Sequence, residues 1–442
     1  MTEGRTAGKK VINAWAMYDW ANSSYSLVIT SALFPIYFHA VTTSAGKNTV
    51  DFIGRTYNSD SLQTYAISLA FLLIAGINPL LSSIADYSGR KKSFMYFFCT
   101  LGSLSCCSLF FFTASTLWIG VLGSMLAAIG FAGSIVFYNA FLPEIASRED
   151  QDRVSAKGFA LGYIGSSLLL IFCLTMILFP DFYGGISDSM ATRLSFLIVG
   201  VWWFGFAQIT FRRLKESKRD GRRAGQYLFH GYTELKKVWK ELRHTSRLKM
   251  FLISFFFYNM GVQTVMYVAT LFGSAELKLD SSILIAVILI IQFVAIGGAY
   301  LFSSLSKRFG NLVALSIAIV IWVFVCVGAY YCNKEYGVNE QNMFMILAAV
   351  VGLVMGGIQS LSRSTYSKLL PDTIDHASYF SFYDVCDKLG TTLGIFAFGL
   401  INELAGSMRS SIILLAVFFI VGLFLLLRMT KLNLKKLRIT AA

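Results

Sequence analysis

Apolar runs, each about long enough to cross the hydrocarbon core of a bilayer as a helix, recur along the whole chain. Six fall near 13–38, 62–85, 93–114, 117–141, 157–179 and 192–211. Six more fall near 250–273, 281–304, 312–332, 343–367, 377–403 and 410–429. Lipid offers backbone groups no partner, so a spanning segment must satisfy them in its own helix or in a closed barrel, and continuous apolar runs fit the helix. The pattern therefore predicts an all-α membrane protein with twelve transmembrane helices. Most linkers are short and make sequential helices antiparallel neighbours. The exceptions are the stretch 39–61 and a central hydrophilic one, 212–249.

That central stretch carries 13 Lys/Arg against 4 Asp/Glu. Within it Leu228, Tyr232, Leu235, Trp239 and Leu242 recur at helical spacing opposite Lys236, Lys237, Lys240 and Arg243. The pattern predicts an amphipathic helix lying on a surface of anionic lipids. The chain thus divides into an N-terminal six-helix bundle (1–211), a basic linker (212–249) and a C-terminal six-helix bundle (250–442).

Composition agrees with a membrane protein: 56% of residues are hydrophobic, 14% are charged, and the mean hydropathy is +0.63. These values exclude an ordinary soluble domain. A net charge of +14 invites a nucleic-acid reading, but its placement argues against one. Assigning loops alternately to two sides puts 31 of the 38 Lys/Arg on the side of the linker and six on the other, with Lys388 inside a span. Cytoplasmic loops carry such an excess, so Thr2, Ser217 and Thr440 are expected in the cytoplasm and Ser187 and Asn339 outside. The seven cysteines lie within or at the ends of apolar runs, in no metal-binding or disulfide pattern. The first apolar run contains Asp19 and is too long for a signal-peptide core, so it reads as a retained span. Spans 3 and 12 carry almost nothing polar and are expected to face lipid. Gly158, Gly162, Gly165, Gly297, Gly298, Gly390 and Gly394 suit close helix contacts.

The two halves resemble each other. IADYSGRKK (84–92) follows span 2 and LSKRFGN (305–311) follows span 8, with Gly89 and Gly310 in register. Leu142-Pro143-Glu144 ends span 4 as Leu370-Pro371-Asp372 ends span 10, and Tyr18-Asp19 in span 1 matches Tyr258-Asn259 in span 7. Three pairs in order predict a duplicated six-span unit. In the first of these turns Gly89 permits a tight reversal. Arg90 can pair with a carboxylate on an adjacent helix end, for which Glu144 is the candidate. Plain positive-inside charge would explain Arg90 but not Asp86 with Gly89, so the group reads as a gating latch.

Polar residues inside the spans carry the remaining chemistry. Asp19, Asn22, Ser26 and Thr30 follow helical spacing along one face of span 1, and Asn259, Gln263, Tyr267 and Thr270 do so in span 7. A stripe facing lipid would be costly, so both line a cavity or a helix contact. Span 11 carries Asp384 and Lys388 at i,i+4, placed to pair near mid-membrane, while Asp387 points partly elsewhere. Gln359 and Arg363 near the end of span 10 read as an anchor or as cavity residues.

Asp86-Tyr-Ser-Gly-Arg-Lys-Lys92 resembles the D-R-x-G-R-K signature of the major facilitator superfamily, with Tyr87 in place of the usual Arg and Ser82 where Gly is common. WAMYDWANSSYSLVITSALFPIYF, FYNAFLPEIA with RVSAKGFALGYIG, and GGIQSLSRSTYSKLLPD followed by SYFSFYDVCDKLGTTLG are similar to one branch of it, from about residue 15 to 399. That branch contains the fungal vacuolar amino-acid effluxers of autophagy and bacterial relatives; Cys386-Asp387 departs from the small residues expected there. The resemblance implies two pseudo-symmetric bundles, alternating access, and a central site lined by helices 1, 4, 7 and 10. Candidate substrate-binding residues are then Asp19, Asn22, Tyr25, Asn139, Asn259, Gln263, Gln359, Arg363, Asp384 and Lys388. Asp86, Gly89, Arg90 and Glu144 are the gating candidates, and Asp19 and Asp384 the coupling candidates. The expected function is export of an amino acid or similar zwitterion, coupled to protons, by a monomer in a bacterial inner membrane. Alternatives are efflux of drug-like molecules or peptides, and a receptor on the same fold. No nucleotide-binding motif, nucleophile–base pair or metal triad is present in the sequence, so neither ATP, an enzymatic reaction nor a cofactor is expected. The expected partners are a small-molecule substrate, protons and anionic lipid near the linker, with no nucleic acid.

Overall fold

The computed structural model describes residues 6–43, 49–216, 227–332, 339–405 and 408–440. Thr2, Ser217 and the linker stretch 217–226 lie outside them, as do the side chains of Leu228 and Thr440. Helix α1 (Lys9–Ser24) continues through a π-helical stretch (Tyr25–Leu33) into α2 (Phe34–Thr42), and the three form one long candidate span. The long first loop contains a two-stranded antiparallel hairpin, β1 (Thr49–Phe52) and β2 (Arg55–Asn58), with Thr49 opposite Asn58 and Phe52 opposite Arg55. Then follow α3 (Ser59–Ser88), α4 (Lys91–Ser108), α5 (Leu117–Ala140), the single turn α6 (Leu142–Ile145), α7 (Gln151–Leu178) and α8 (Asp188–Arg213). The linker helix is α9 (Tyr227–His244). The second series is α10 (Ser246–Leu271), α11 (Ser281–Phe309), α12 (Asn311–Tyr330), α13 (Glu340–Leu369), α14 (His376–Ala405) and α15 (Met408–Thr440).

Among the described residues, eleven helical segments are long and apolar enough to cross a membrane. The eleventh span expected from the sequence coincides with α14, which has 30 residues but is not one of the eleven. Asp384, Asp387 and Lys388 in its middle lower its apolar character. These are the residues on which the site is built.

The chain forms two compact units. Among the described residues, one comprises those within 7–141 and 161–232; the other comprises Thr6 and those within 142–160 and 233–440. Helix α6 and the first turns of α7 thus belong with the helices after the linker, although the boundaries read from the sequence put them in 1–211.

Within the first unit, α4 and α5 meet where Gly102 faces Gly130, and a side chain at Gly130 would strike the Gly102 backbone. Thr210 donates to the Ala14 carbonyl at 2.6 Å and joins α8 to α1. Within the second unit, α11 and α13 approach backbone to backbone: a Cβ at Gly298 would meet the Leu353 carbonyl, and one at Gly356 the Ala295 carbonyl. Such contacts are how apolar helices associate without a hydrophobic driving force. Gly297, expected to share this role, faces open space. Gly394 does pack closely, against Thr264 and Met260.

The repeat read from the sequence has a backbone counterpart. Gly89 ends α3 at φ 70° and Gly310 ends α11 at φ 85°, both in the region that side chains disfavour. Ile413, Val417, Ile420, Phe424 and Leu427 leave an exposed apolar stripe on α15, as lipid contact requires. Helix α4 is two-faced instead: Phe97, Leu104 and Phe111 beyond its end are exposed, while Met95, Phe98, Gly102 and Cys106 are buried.

Helix α9 is amphipathic, and much of its inner face is covered by protein. Val238 and Leu242 are buried, and Trp239 lies 5.5 Å from Phe382 of α14, ring centroid to ring centroid. Tyr379 donates to Glu241 at 2.7 Å, and Lys237 bridges Glu234 (3.0 Å) and Asp375 (3.9 Å). Tyr232 of the expected lipid-facing stripe remains exposed.

Candidate substrate site

The polar stripe of span 1 follows its expected spacing only as far as Asn22. Asp19 and Asn22 are buried, Ser26 is exposed, and Thr30 is half-buried. The cause is the π-helical stretch, where i→i+5 pairing rotates later residues off the face that α-helical spacing assigns. Ser31 donates to the Ser26 carbonyl at 3.0 Å, at that i,i+5 separation. Pro35, which has no N–H to give, follows at the start of α2. The last turn of α10 likewise runs into a π-helical stretch, Phe272–Glu276, in the corresponding span of the second half.

In the first unit Asp19 accepts a 2.7 Å hydrogen bond from the Tyr138 hydroxyl. The Tyr138 ring stacks on Trp15 at 4.4 Å, and the Trp15 indole N–H donates to the Tyr138 carbonyl at 3.0 Å. The carboxylate is thus aimed by a ring that packs against both Trp15 and Tyr18. Asn22, 1% exposed, has an amide nitrogen with no hydrogen-bond partner among the described residues. A buried amide donor left open is costly in a finished core and is what a ligand-binding position provides. Tyr25 is buried between the rings of Phe131 and Trp203, and Asn139 is buried beside Tyr138 on α5.

The second unit holds a denser cluster on α14. Lys388 Nζ lies 2.6 Å from Asp387 Oδ2 and 3.7 Å from Asp384 Oδ1. The i,i+4 pair expected from the sequence is therefore present as the longer contact, and the short one goes to the neighbour that was read as pointing elsewhere. From α10, Asn259 Nδ2 and Gln263 Nε2 both donate to Asp387 Oδ1, at 2.8 and 3.2 Å. The span 7 stripe thus faces α14, and its i,i+4 amides grip one carboxylate; further along, Tyr267 is exposed. Lys388 is 12 residues into α14, about 18 Å from its start at 1.5 Å per residue.

Arg363, 3% exposed, donates from Nε to Ser155 Oγ (2.9 Å) and from an Nη to the Ser155 carbonyl (2.8 Å), and it lies 4.2 Å over the Phe159 ring. It is not a surface anchor; it ties α13 to the first turns of α7. Gln359, one turn earlier on α13, is half-buried. Near the same ends of these helices Asp152 accepts from Ser306 (2.7 Å), Asn311 (2.7 Å) and Lys368 (2.6 Å). No feature of the sequence singled Asp152 out, because its three partners come from 154 to 216 residues away.

Of the gating candidates, Asp86 is fully buried and meets Lys91 at 3.3 Å, while Arg90 stands exposed at the start of α4. Glu144, expected opposite Arg90, lies in the other unit and meets His376 Nδ1 at 3.2 Å. The turn at Gly89 explains the difference for Asp86: it folds Lys91 back over the end of α3. Groups of three or more His, Cys, Asp or Glu placed to hold a metal are absent among the described residues.

Residues 7–436 match the family described as "Vacuole effluxer Atg22 like". The chain is 33% identical to the uncharacterised MFS-type transporter YxiO of Bacillus subtilis (strain 168), covering 94% of this chain and 93% of that protein. It is 26% identical to autophagy-related protein 22-2 of Neosartorya fischeri, covering 83% and 74%. Among solved structures, a bacterial homologue of the iron transporter ferroportin in an outward-facing state aligns with a TM-score of 0.67 at 10% identity, over 96% of this chain and 98% of that one. The proton:xylose symporter XylE bound to 6-bromo-6-deoxy-D-glucose aligns with a TM-score of 0.68 at 12% identity, over 95% of each chain. At such identities these two speak for the fold alone. With a family match along nearly its whole length and a full-length bacterial relative, this chain is a multi-pass membrane transporter of the major facilitator superfamily and belongs to the Atg22-like effluxer family.

Proposed function

We propose that the protein exports amino acids or similar small zwitterions across a bacterial inner membrane by alternating access, coupled to protons, with both termini in the cytoplasm. The observation that carries this reading is the cluster of Asp384, Asp387 and Lys388, held by Asn259 and Gln263 in the middle of a long helix. Ionisable groups so far inside a membrane helix are expensive and mark transport pathways. Asp19 with the open amide of Asn22 supplies a second polar position. A zwitterion needs an acceptor for its ammonium and a donor for its carboxylate, away from bulk water. Such groups are available in Asp19, Asp384, Lys388 and Arg363. Asp86, Gly89, Arg90 and Glu144 form the gating group of this proposal, and the amphipathic α9 with its basic neighbours keeps the linker at an anionic lipid surface.

The test is counterflow in proteoliposomes. L-Alanine or another amino acid should exchange, the rate should respond to an imposed pH gradient, and Asp19→Asn should abolish it. Exchange indifferent to pH would leave a facilitator, and no amino-acid exchange by folded protein would remove the zwitterion. Orientation is checked separately with single cysteines labelled by an impermeant thiol reagent in sealed right-side-out vesicles. Ser187 and Asn339 positions should react from outside, and Thr2, Ser217 and Thr440 positions should not.

A further inference from the structure

The function proposed above does not by itself assign Asp387. Yet Asp387 is the residue on which the α14 cluster converges. One carboxylate oxygen takes two amide donors from α10, and the other takes the Lys388 ammonium. The Thr391 hydroxyl also donates to its backbone carbonyl at 2.8 Å. The carboxylate is therefore oriented before any ligand arrives, with one oxygen reserved for a cation. It is also the most accessible of the three charged side chains, 18% exposed against 12% for Lys388 and 5% for Asp384.

We infer that Asp387 is the acceptor for a substrate's primary ammonium group and that Lys388 is its tethered stand-in, resting on Asp387 without substrate and passed to Asp384 when substrate binds. The geometry makes this exchange short. Lys388 Nζ already lies 3.7 Å from Asp384 Oδ1, so closing on it needs a shift of side-chain torsions and no movement of α14. The chemistry makes it matched, because a lysine side chain ends in the same alkylammonium that an amino acid or amine presents. The energetics favour exchange over simple addition. Stripping a buried carboxylate of its cation leaves an uncompensated charge, and a relay in which each ammonium arrives as the other moves on avoids that cost. Other titratable groups near the cluster are Tyr267 on α10, Tyr383 and Cys386 on α14, and Arg363 on α13, which shares Tyr383 with Asp387 as a neighbour. None of them places a second ammonium within reach of Asp387 Oδ2. The substrate class follows: a free primary ammonium is required, and an N-acylated analogue is rejected.

The inference rests on the amino-acid reading of the site, and its test separates the two. Binding to purified full-length protein is measured with L-alanine, L-lysine and propylamine, and with N-acetyl-L-alanine and propionate as ammonium-free controls. The three amines should bind and the controls should not. Lys388→Gln removes the internal competitor and should tighten amine binding roughly tenfold if the stand-in is seated about nine-tenths of the time. Asp387→Asn should abolish amine binding, and Asp384→Asn should weaken it by leaving Lys388 nowhere else to go. Where Asp387→Asn alone fails to fold, the near-isosteric and charge-balanced Asp387→Asn/Lys388→Gln should fold and still fail to bind. Tighter binding on loss of Lys388 is a result that a purely structural triad does not give. Weaker amine binding in Lys388→Gln, or wild-type affinity in Asp387→Asn, overturns the inference while leaving amino-acid transport standing. Equal binding of N-acetyl-L-alanine and L-alanine overturns both.

Discussion

The hydroxyl of Tyr138 donates a 2.7 Å hydrogen bond to Asp19, and both residues are buried. The two come from α5 and α1, 119 residues apart, and the bond fixes which way the only acidic side chain of α1 points. Tyr138→Phe keeps the ring and its stacking on Trp15 while removing this single donor. A hydrogen bond contributes about 0.5–1.5 kcal/mol net, so the variant should be less stable by about that much and unfold at a lower temperature. If Asp19 meets substrate, KM should rise as well. A variant with wild-type unfolding and wild-type KM would show that Tyr138 does not position Asp19.

Asp86 and Lys91 are 0% and 4% exposed and 3.3 Å apart, which makes Lys91, not only Arg90, a member of the proposed gate. Asp86→Asn and Lys91→Met should each slow turnover several-fold with near-normal expression, and Arg90→Ala should do less because its side chain is exposed. Counterflow rates normalised to protein in the vesicle decide this. An effect confined to Arg90→Ala would reassign the gate.

Gly89 and Gly310 were legible in the sequence, because a glycine after a polar helix end reports a local backbone need and both proved to have positive φ. The hydrophobic runs were legible for the same kind of reason, since each span declares itself by its own residues. Asp387 was not. Its meaning comes from Asn259 and Gln263, 124 to 128 residues away, and from the torsions that lay Lys388 on it instead of one turn back. The span 1 stripe was legible only as far as the helix stays α-helical, and a change to i→i+5 pairing has no reliable signature in residue spacing. Helix α9 was recognised by its period, but the period does not say whether lipid or protein covers its apolar face. Here Phe382 and Tyr379 meet it.

The docking of α9 should depend on pH. Burial is the main cause that raises the Glu234 carboxyl above its ordinary value, and the neighbouring Asp375 adds to it against the lowering effect of Lys237. A carboxyl raised on docking binds its proton more readily in the docked state, so docking strengthens as pH falls through the raised value and weakens above it. Lys237 is raised chiefly by its hydrogen bond to Glu234; its contribution is full below the ordinary lysine value and is lost only as pH rises through the raised one. Amide exchange across α9 should therefore slow as pH falls through the raised Glu234 value. Glu234→Gln should flatten that dependence, and an unchanged slope in the variant would assign it elsewhere.

The last prediction concerns what Lys388 is for in the folded protein. Its ammonium lies 3.7 Å from Asp384 and 2.6 Å from Asp387, and both acids are largely buried. Lys388→Met leaves two carboxylates side by side within the membrane part of α14, and breaking a buried pair by removing one partner costs about 3–5 kcal/mol. Restoring charge balance should recover most of that loss, but the two ways of doing so differ. Asp384→Asn/Lys388→Met leaves Asp387 charged, with only the amides of Asn259 and Gln263 on it. Asp387→Asn/Lys388→Met removes the short 2.6 Å contact as a unit and leaves the less accessible Asp384 charged. If the short contact dominates, thermal unfolding should rank wild type first, then Asp387→Asn/Lys388→Met, then Asp384→Asn/Lys388→Met, with Lys388→Met last. Both double variants should fail to transport: the first removes Lys388 and Asp384, the two ends of the proposed relay, and the second removes Asp387, the proposed ammonium acceptor. A fully stable and fully active Asp387→Asn/Lys388→Met would make the cluster a structural ion group and move the search for the transport site to Asp19 and Asn22.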